Sequence, residues 1–182
     1  MLLSLDISTS CTGYCIFNDE NELELISYID LSKHKDFYEK VTEVKSVFLK
    51  IKEDYKIHDI AVEENLQAFR PGLSSAKTLM TLAQFNGTTR WLCHEIFDIK
   101  PDAINVNTAR RTIGLKVDRK SQESTKDQVR KWVFENEEKI DTWPTKILKS
   151  GKSKGQVKIK NESYDMADAY VIGKAKILLS SF

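Results

Sequence analysis

Apolar residues recur along this chain with two different periods, and the switches between them outline the fold. MLLSLD, residues 1–6, is an apolar run that ends in an acid, while GYCIFN at 13–18 and LELISYIDL at 23–31 are rich in β-branched and aromatic side chains. All three read as strands. Their connections are short, which favours an antiparallel meander. Over residues 34–55 the period changes: Phe37, Val41, Val44, Phe48 and Ile51 stand three and four apart, the spacing of an amphipathic helix. IHDIAVEE at 57–64 returns to a buried strand, this one ending in acids. A strand, a helix and a strand in that order predict a right-handed crossover that lays the new strand parallel to the first.

Past the loop NLQAFRPG, residues 73–97 predict a long helix with Ala76, Leu79, Met80, Ala83, Gly87 and Trp91 on one side. Ala83 and Gly87 are four apart and small enough to let another backbone approach closely, whether that of the sheet or of another helix. A short strand near 103–106, a helix opening at Asn107 or Thr108, a helix over 124–136 and a final helix over 162–179 complete the outline. The expected fold is α/β, a mixed central sheet of three antiparallel strands followed by parallel strands, flanked by helices.

Composition sets bounds on this outline. With 182 residues, 41% of them hydrophobic, the chain can bury one substantial core and is too short for two large domains. A single domain over 1–182 is expected. No run approaches the roughly 18 apolar residues of a membrane span, and Asp6 interrupts the N-terminal run too soon for a signal-peptide core. The expected setting is intracellular, the cytoplasm or another reducing compartment. Cys11, Cys15 and Cys93 show neither paired nor CxxC spacing, so they read as small buried hydrophobes and not as zinc ligands.

The net charge of +1 conceals an asymmetry. Residues 1–100 carry 11 Lys+Arg against 16 Asp+Glu, and residues 101–182 carry 17 against 11, a balance of −5 and +6. An anionic partner would therefore be felt by the C-terminal half. KILKSGKSKGQVKIK, residues 146–160, holds six lysines and no acid, and its Gly and Ser content reads as a mobile basic loop. Its GKS is no phosphate loop, because the motif requires glycine at position 146, which is Lys. No small-molecule cofactor is expected.

The candidate chemistry lies in carboxylates placed where strands and helices end: Asp6, Glu63 with Glu64, and Asp165 with Asp168. If the first and fourth strands are parallel neighbours, Asp6 and Glu63 converge at their C-terminal ends. Asp165 and Asp168, three apart, share one face of the last helix. Taken singly, each acid has a plainer role as a strand end, a loop residue or a charge favoured by a helix N-terminus. Asp168 fits that account least, since Met166, Ala167, Ala169, Val171 and Ile172 surround it with apolar sequence in which an unpaired carboxylate is penalised. Four clustered acids require compensation, and hard divalent cations supply it. Two magnesium ions about 4 Å apart would suit phosphodiester cleavage.

These segments resemble a known family. LDISTSCTGYCIF resembles the first-strand motif of the RuvC Holliday junction resolvases, IAVEENL their strand ending in a catalytic Glu, and SYDMADAYVIG the Asp-x-x-Asp-Ala of their last helix. The three occur in the family's order and span nearly the whole chain. The resemblance implies an RNase H-like fold, a homodimer, and symmetric paired nicking of four-way DNA junctions with Mg²⁺, for which Mn²⁺ can substitute. It makes Asp6, Glu63, Asp165 and Asp168 the catalytic metal ligands, Glu63 being preferred to Glu64 because it directly follows the apolar Ala-Val pair. It also makes the helix of Ala83 and Gly87 the one that pairs across the dimer.

TARRTIG resembles a family segment with a catalytic-site lysine, here offset onto Arg110 and Arg111, and STKDQV resembles another, pointing to Lys126 with Lys120 as competitor. Such cations would contact phosphates; as ordinary solvated residues they would do nothing. Two departures stand out. Ser8 replaces a glycine two after the first Asp, and Leu66 replaces an aromatic three after the Glu. Phe69, beside Arg70, would take over stacking on an unpaired base. Lys152 and Lys154 in the basic loop would clamp a DNA arm. Three other readings share these residues. Actin-like ATPases begin similarly but need early glycines, which DISTSCTG lacks until Gly13, and a second large domain. A nuclease of RNA:DNA hybrids could use the same metal site, and a structural DNA-binding module would leave the acids incidental.

Overall fold

The structure, a computed structural model, describes residues 1–64 and 76–180. Strands β1 (Leu2–Ile7), β2 (Cys11–Phe17), β3 (Leu23–Asp30), β4 (Asp59–Glu63) and β5 (Asp102–Ile104) form one sheet in the order β3-β2-β1-β4-β5. The first three run antiparallel, and β4 and β5 add parallel to β1, as the alternation of periods implied. Helices α1 (Phe37–Asp54) and α2 (Ala76–Phe97) cover one face. The other carries α3 (Val106–Thr112), α4 (Thr125–Asn136) and α5 (Glu162–Ser180). Side-chain caps set three starts: Asp36 accepts from the N–H groups of Tyr38 and Glu39, Asn105 from those of Asn107 and Thr108, and Ser124 from that of Asp127. No helix among the described residues is long and apolar enough to cross a membrane.

Strand alternation decides which residues meet which helices. Leu3, Leu5 and Ile7 of β1, with Ile60 and Val62 of β4, join the core under α1 and α2. Leu2 and Ala61 join the core under α5. By the same two-residue period, Ser4, Asp6 and Glu63 fall on the α5 side. A one-residue slip would turn these acids toward α1 and α2.

Helix α5 packs on four strands and on α3 and α4, and it is buried nearly all round from Met166 to Gly173. Two glycines allow it to lie so close. A Cβ on Gly13 would stand 2.0 Å from the carbonyl oxygen of Asp165, and one on Gly173 2.2 Å from the ring of Phe17. Between them the Ser4 hydroxyl donates to the Ala169 carbonyl at 2.8 Å. The three cysteines are free and buried.

One expectation changes, and one open alternative closes. Residues 146–160 are not simply a loop: β6 (Thr145–Ile147) and β7 (Val157–Ile159) form an antiparallel hairpin pairing Thr145 with Ile159, Lys146 with Lys158 and Ile147 with Val157. The Gly and Ser residues make only its tip, where Gly151 and Gly155 take positive φ. The flanking Lys-Ile and Val-Lys-Ile alternation has strand period, which the lysine content obscured. The closed alternative concerns α2, which buries Phe85, Asn86, Thr89, Leu92, Cys93 and Ile96. Ala83 and Gly87 therefore do not pack on the sheet. They lie exposed with Met80 and Trp91.

Candidate active site

The four acids meet where β1 and β4 end beneath the first turns of α5. Leu5 pairs with Val62 across the parallel strands, so Asp6 and Glu63 follow one position later on the same face. Asp6 also pairs with Gly13 across β2, the residue on which the backbone of Asp165 rests. That contact seats Asp165 beside Asp6, and Asp168 follows one turn along. All four line a cleft of about 420 Å³, together with Glu64, Asn86, Arg110, Thr125 and Lys126. Glu64, at the same cleft, accepts from the Asn105 side chain at 3.1 Å.

The electrostatics are those of acids short of positive charge. Burial raises the Asp6 carboxyl well above the usual carboxylate range, and the charges of Glu63, Asp168 and Asp165 add to it. Glu63 is pushed up to about 7, first by burial and then by Asp168, against the pull of Arg110. Burial also raises Asp165 and Asp168, opposed by Lys126 at the first and Arg110 at the second. Asp168 is not alone in its apolar surroundings: the Arg110 guanidinium meets its carboxylate at 3.2 Å. One guanidinium and one ammonium cannot neutralise four clustered carboxylates. A donor set of hard oxygens with excess negative charge fits hard divalent cations. Among the described residues no three of these groups are gathered as a ready-made chelate. A cation there would compete with Arg110 for the Asp168 carboxylate.

The other candidates separate clearly. Arg110 and Lys126 line the cleft, while Arg111 lines a neighbouring cavity. Lys120 is exposed, its backbone N–H bound to Asp118, and it lines neither. Lys152 and Lys154 sit on the hairpin tip, and Phe69 and Arg70 lie outside the described residues. The sequence reading missed Tyr164, whose ring lies 5.7 Å from the Lys126 ammonium and 4.6 Å from the Arg130 guanidinium, and whose hydroxyl donates to Asp127 at 2.7 Å. It holds Lys126 at the rim. It also missed Gly13, although an isolated glycine within a strand signals close approach of another backbone.

No protein-family model and no curated protein matches the sequence. Solved structures do. RuvC from Thermus thermophilus, in complex with a Holliday junction substrate, superposes with a TM-score of 0.64 at 13% identity, covering 99% of this chain and 94% of that one. The fold is that of RuvC. Another Thermus thermophilus RuvC structure gives 0.61 at 13% identity over 99% and 95% of the two chains. The yeast mitochondrial Holliday junction resolvase Ydc2 gives 0.57 at 15% identity over 99% and 78%. The RuvC-like architecture thus extends over essentially the whole chain, with the four acids gathered at the end of its paired parallel strands.

A pH dependence follows from Glu63. Its carboxyl binds a proton more tightly in the folded chain than in the unfolded one, so the folded state holds more protons between about pH 4.5 and 7. The stabilising contribution is complete below that window and lost as pH rises through 7. In EDTA, melting should occur several degrees lower at pH 7.5 than at pH 5.5, a loss on the order of 1–3 kcal/mol given partial solvent access. Glu63→Gln should flatten that dependence. A wild-type melting temperature that climbs steadily from pH 5.5 to 7.5 would contradict it.

Proposed function

We propose that this protein is a metal-dependent endonuclease of branched DNA, a Holliday junction resolvase that makes symmetric paired nicks in four-way junctions. The observation that carries the proposal is the convergence of Asp6, Glu63, Asp165 and Asp168 on one cleft, with Arg110 and Lys126 beside them, at the parallel-strand edge of a RuvC fold. The Thermus protein of that fold was captured with a Holliday junction, which supports the same substrate class here.

Asp6, Glu63, Asp165 and Asp168 would hold magnesium, two ions per site, with manganese as a substitute. Ions held there would supply the Lewis acidity that activates water and offsets charge on the leaving oxygen. The chain's own groups do the rest. The carboxylates give up their excess protons once opposed by positive charge. Arg110 exchanges Asp168 for a phosphate oxygen, and Lys126, fixed by Tyr164, faces the same phosphate, so both stabilise the charge that builds up at phosphorus. Water would attack phosphorus in line as the bond to the 3′ oxygen breaks, and that oxygen takes up a proton, so that the products carry a 5′-phosphate and a 3′-hydroxyl.

Two symmetric cuts need two active sites, and the exposed α2 stripe of Met80, Ala83, Gly87 and Trp91 offers a face for a second copy. Sedimentation should show a dimer for the wild type and a monomer for Trp91→Glu; the same dimer in both would remove this face from the assembly. The hairpin would clamp a DNA arm. Glutamine at Lys146, Lys149, Lys152, Lys154 and Lys158 should weaken junction affinity and flatten its salt dependence, and unchanged values of both would refute the clamp. Lys160 is left out because its ammonium donates to the Tyr28 hydroxyl at 2.8 Å.

The test of the whole proposal uses labelled four-way junction, linear duplex and RNA:DNA hybrid, each in Mg²⁺ and in EDTA. Paired nicks confined to the junction and dependent on metal are expected. Cutting of the hybrid alone would move the substrate to RNA, and binding without cutting on any substrate would reduce the protein to a structural module.

A further inference from the structure

Beside the carboxylate cleft opens a second cavity of about 390 Å³, and the two share Arg110 and Thr125 on their common wall. Arg111, Lys116 and Arg119 complete its charged lining, and no carboxylate contributes to it. Among the described residues none of these three cations is ion-paired, whereas Arg130, Lys139, Lys174 and Lys176 each have a carboxylate partner. Arg110 adds a further unused donor, since its Nε is buried without a hydrogen-bond partner. Like charges gathered around a concavity repel one another unless an anion enters it.

Backbone geometry holds the cavity in shape. Two residues past the end of α3, Gly114 with a φ of 76° lets the chain reverse, the N–H of Gly114 donating to the Arg111 carbonyl at 3.1 Å and that of Leu115 to the Arg110 carbonyl at 2.8 Å. The reversal brings Lys116 and Arg119 to the same cavity as Arg111. Gln128 of α4 then grips the segment from both sides, accepting from the Asp118 N–H at 2.8 Å and donating to its carbonyl at 2.9 Å. Thr125, the first residue of α4, places the positive end of that helix dipole at the wall.

We infer that this cavity is a second phosphate subsite, which binds a backbone phosphate of the same DNA strand next to the one held in the cleft. The inference rests on the nuclease reading and deepens it. Guanidinium groups match phosphate oxygens in paired hydrogen bonds, so the subsite would fix the register and direction of the strand across the carboxylates. Lys116 and Arg119 are positioning residues here. Neither lines the carboxylate cleft.

The test is the Lys116→Gln/Arg119→Gln variant of the full chain, both positions being exposed so that folding is spared. Junction binding is measured in EDTA across a series of salt concentrations, cleavage is measured in Mg²⁺, and inorganic pyrophosphate serves as a free-anion probe. The inference expects the slope of log affinity against log salt to fall by about one to two, affinity at moderate salt to fall about tenfold or more, and the loss in cleavage to lie in KM rather than in kcat. Wild-type affinity and slope in the variant overturn it, and if cleavage is also intact the nuclease reading survives its loss. A wild type that cuts no DNA, with a variant that still loses salt-dependent binding, sinks the nuclease reading and keeps the subsite. Pyrophosphate bound by the wild type and not displaced by DNA would assign the cavity to a free anion and overturn the strand assignment.

Discussion

Asp168→Asn is expected to lower metal-dependent junction cleavage by at least about a thousandfold, the order of loss when one member of a cooperating set is removed. Junction binding should persist. The substitution keeps the shape of the side chain, and the amide oxygen can still accept from Arg110, which now meets Asp168 at 3.2 Å. The change takes one negative charge from a group in which Asp168 raises the pKa of Asp6 and Glu63. The metal-free variant should therefore be no less stable than the wild type at pH 7.5, and DNA should meet less repulsion. Single-turnover cleavage, gel-shift affinity and a melting curve on the same preparation separate these effects. Cleavage within about tenfold of wild type would remove Asp168 from the catalytic set; loss of folding would give it a structural role instead.

Gly13→Ala should do comparable damage without touching a carboxylate. The added Cβ would lie 2.0 Å from the carbonyl oxygen and 2.2 Å from the carbonyl carbon of Asp165, and 2.6 Å from the backbone nitrogen of Met166. Backbone atoms cannot turn aside as a flexible side chain can, so the start of α5 has to lift away from β2. Overpacking of this kind costs on the order of 1–3 kcal/mol. A displacement of about 1 Å in the reacting groups can cost about a hundredfold in rate. A lower melting temperature and a loss of cleavage are both expected, while Gly173→Ala, which meets mainly the Phe17 ring and the Ser4 hydroxyl, should be milder. Wild-type melting and cleavage in Gly13→Ala would show that α5 does not depend on this seat.

The extent to which the site could be read from sequence follows from the range of the interactions involved. Asp6 and Glu63 were legible because strand period and a right-handed crossover are local rules, and together they put both acids on one face of adjacent parallel strands. Asp165 and Asp168 were legible as a pair because three residues make nearly one helical turn. The pairing of Asp168 with Arg110 was not, because it joins residues 58 apart on elements whose packing no local pattern specifies. The choice between Lys126 and Lys120 likewise waited on tertiary structure: Ser124 caps α4 immediately before Thr125 and turns Lys126 toward the carboxylates, while Lys120 stays in the preceding bend.

Two elements were only partly legible, for opposite reasons. The hairpin strands are three residues each, too short for a period to outweigh the lysines around them. Helix α2 is long enough, but its small and large apolar residues fall on two faces, and the core took the one with Phe85, Leu92 and Ile96. The face of Met80, Ala83, Gly87 and Trp91 points outward instead.

Everything proposed for the cleft requires the four carboxylates to share divalent metal. Calorimetric titration of Mn²⁺ into the wild type, Asp6→Asn and Glu63→Gln at pH 7.5 measures this directly. Saturable binding with proton release is expected in the wild type, with a stoichiometry approaching two once junction DNA is present and at least about tenfold weaker binding in each variant. Equal binding in all three proteins, or none in the wild type with or without junction, would contradict it.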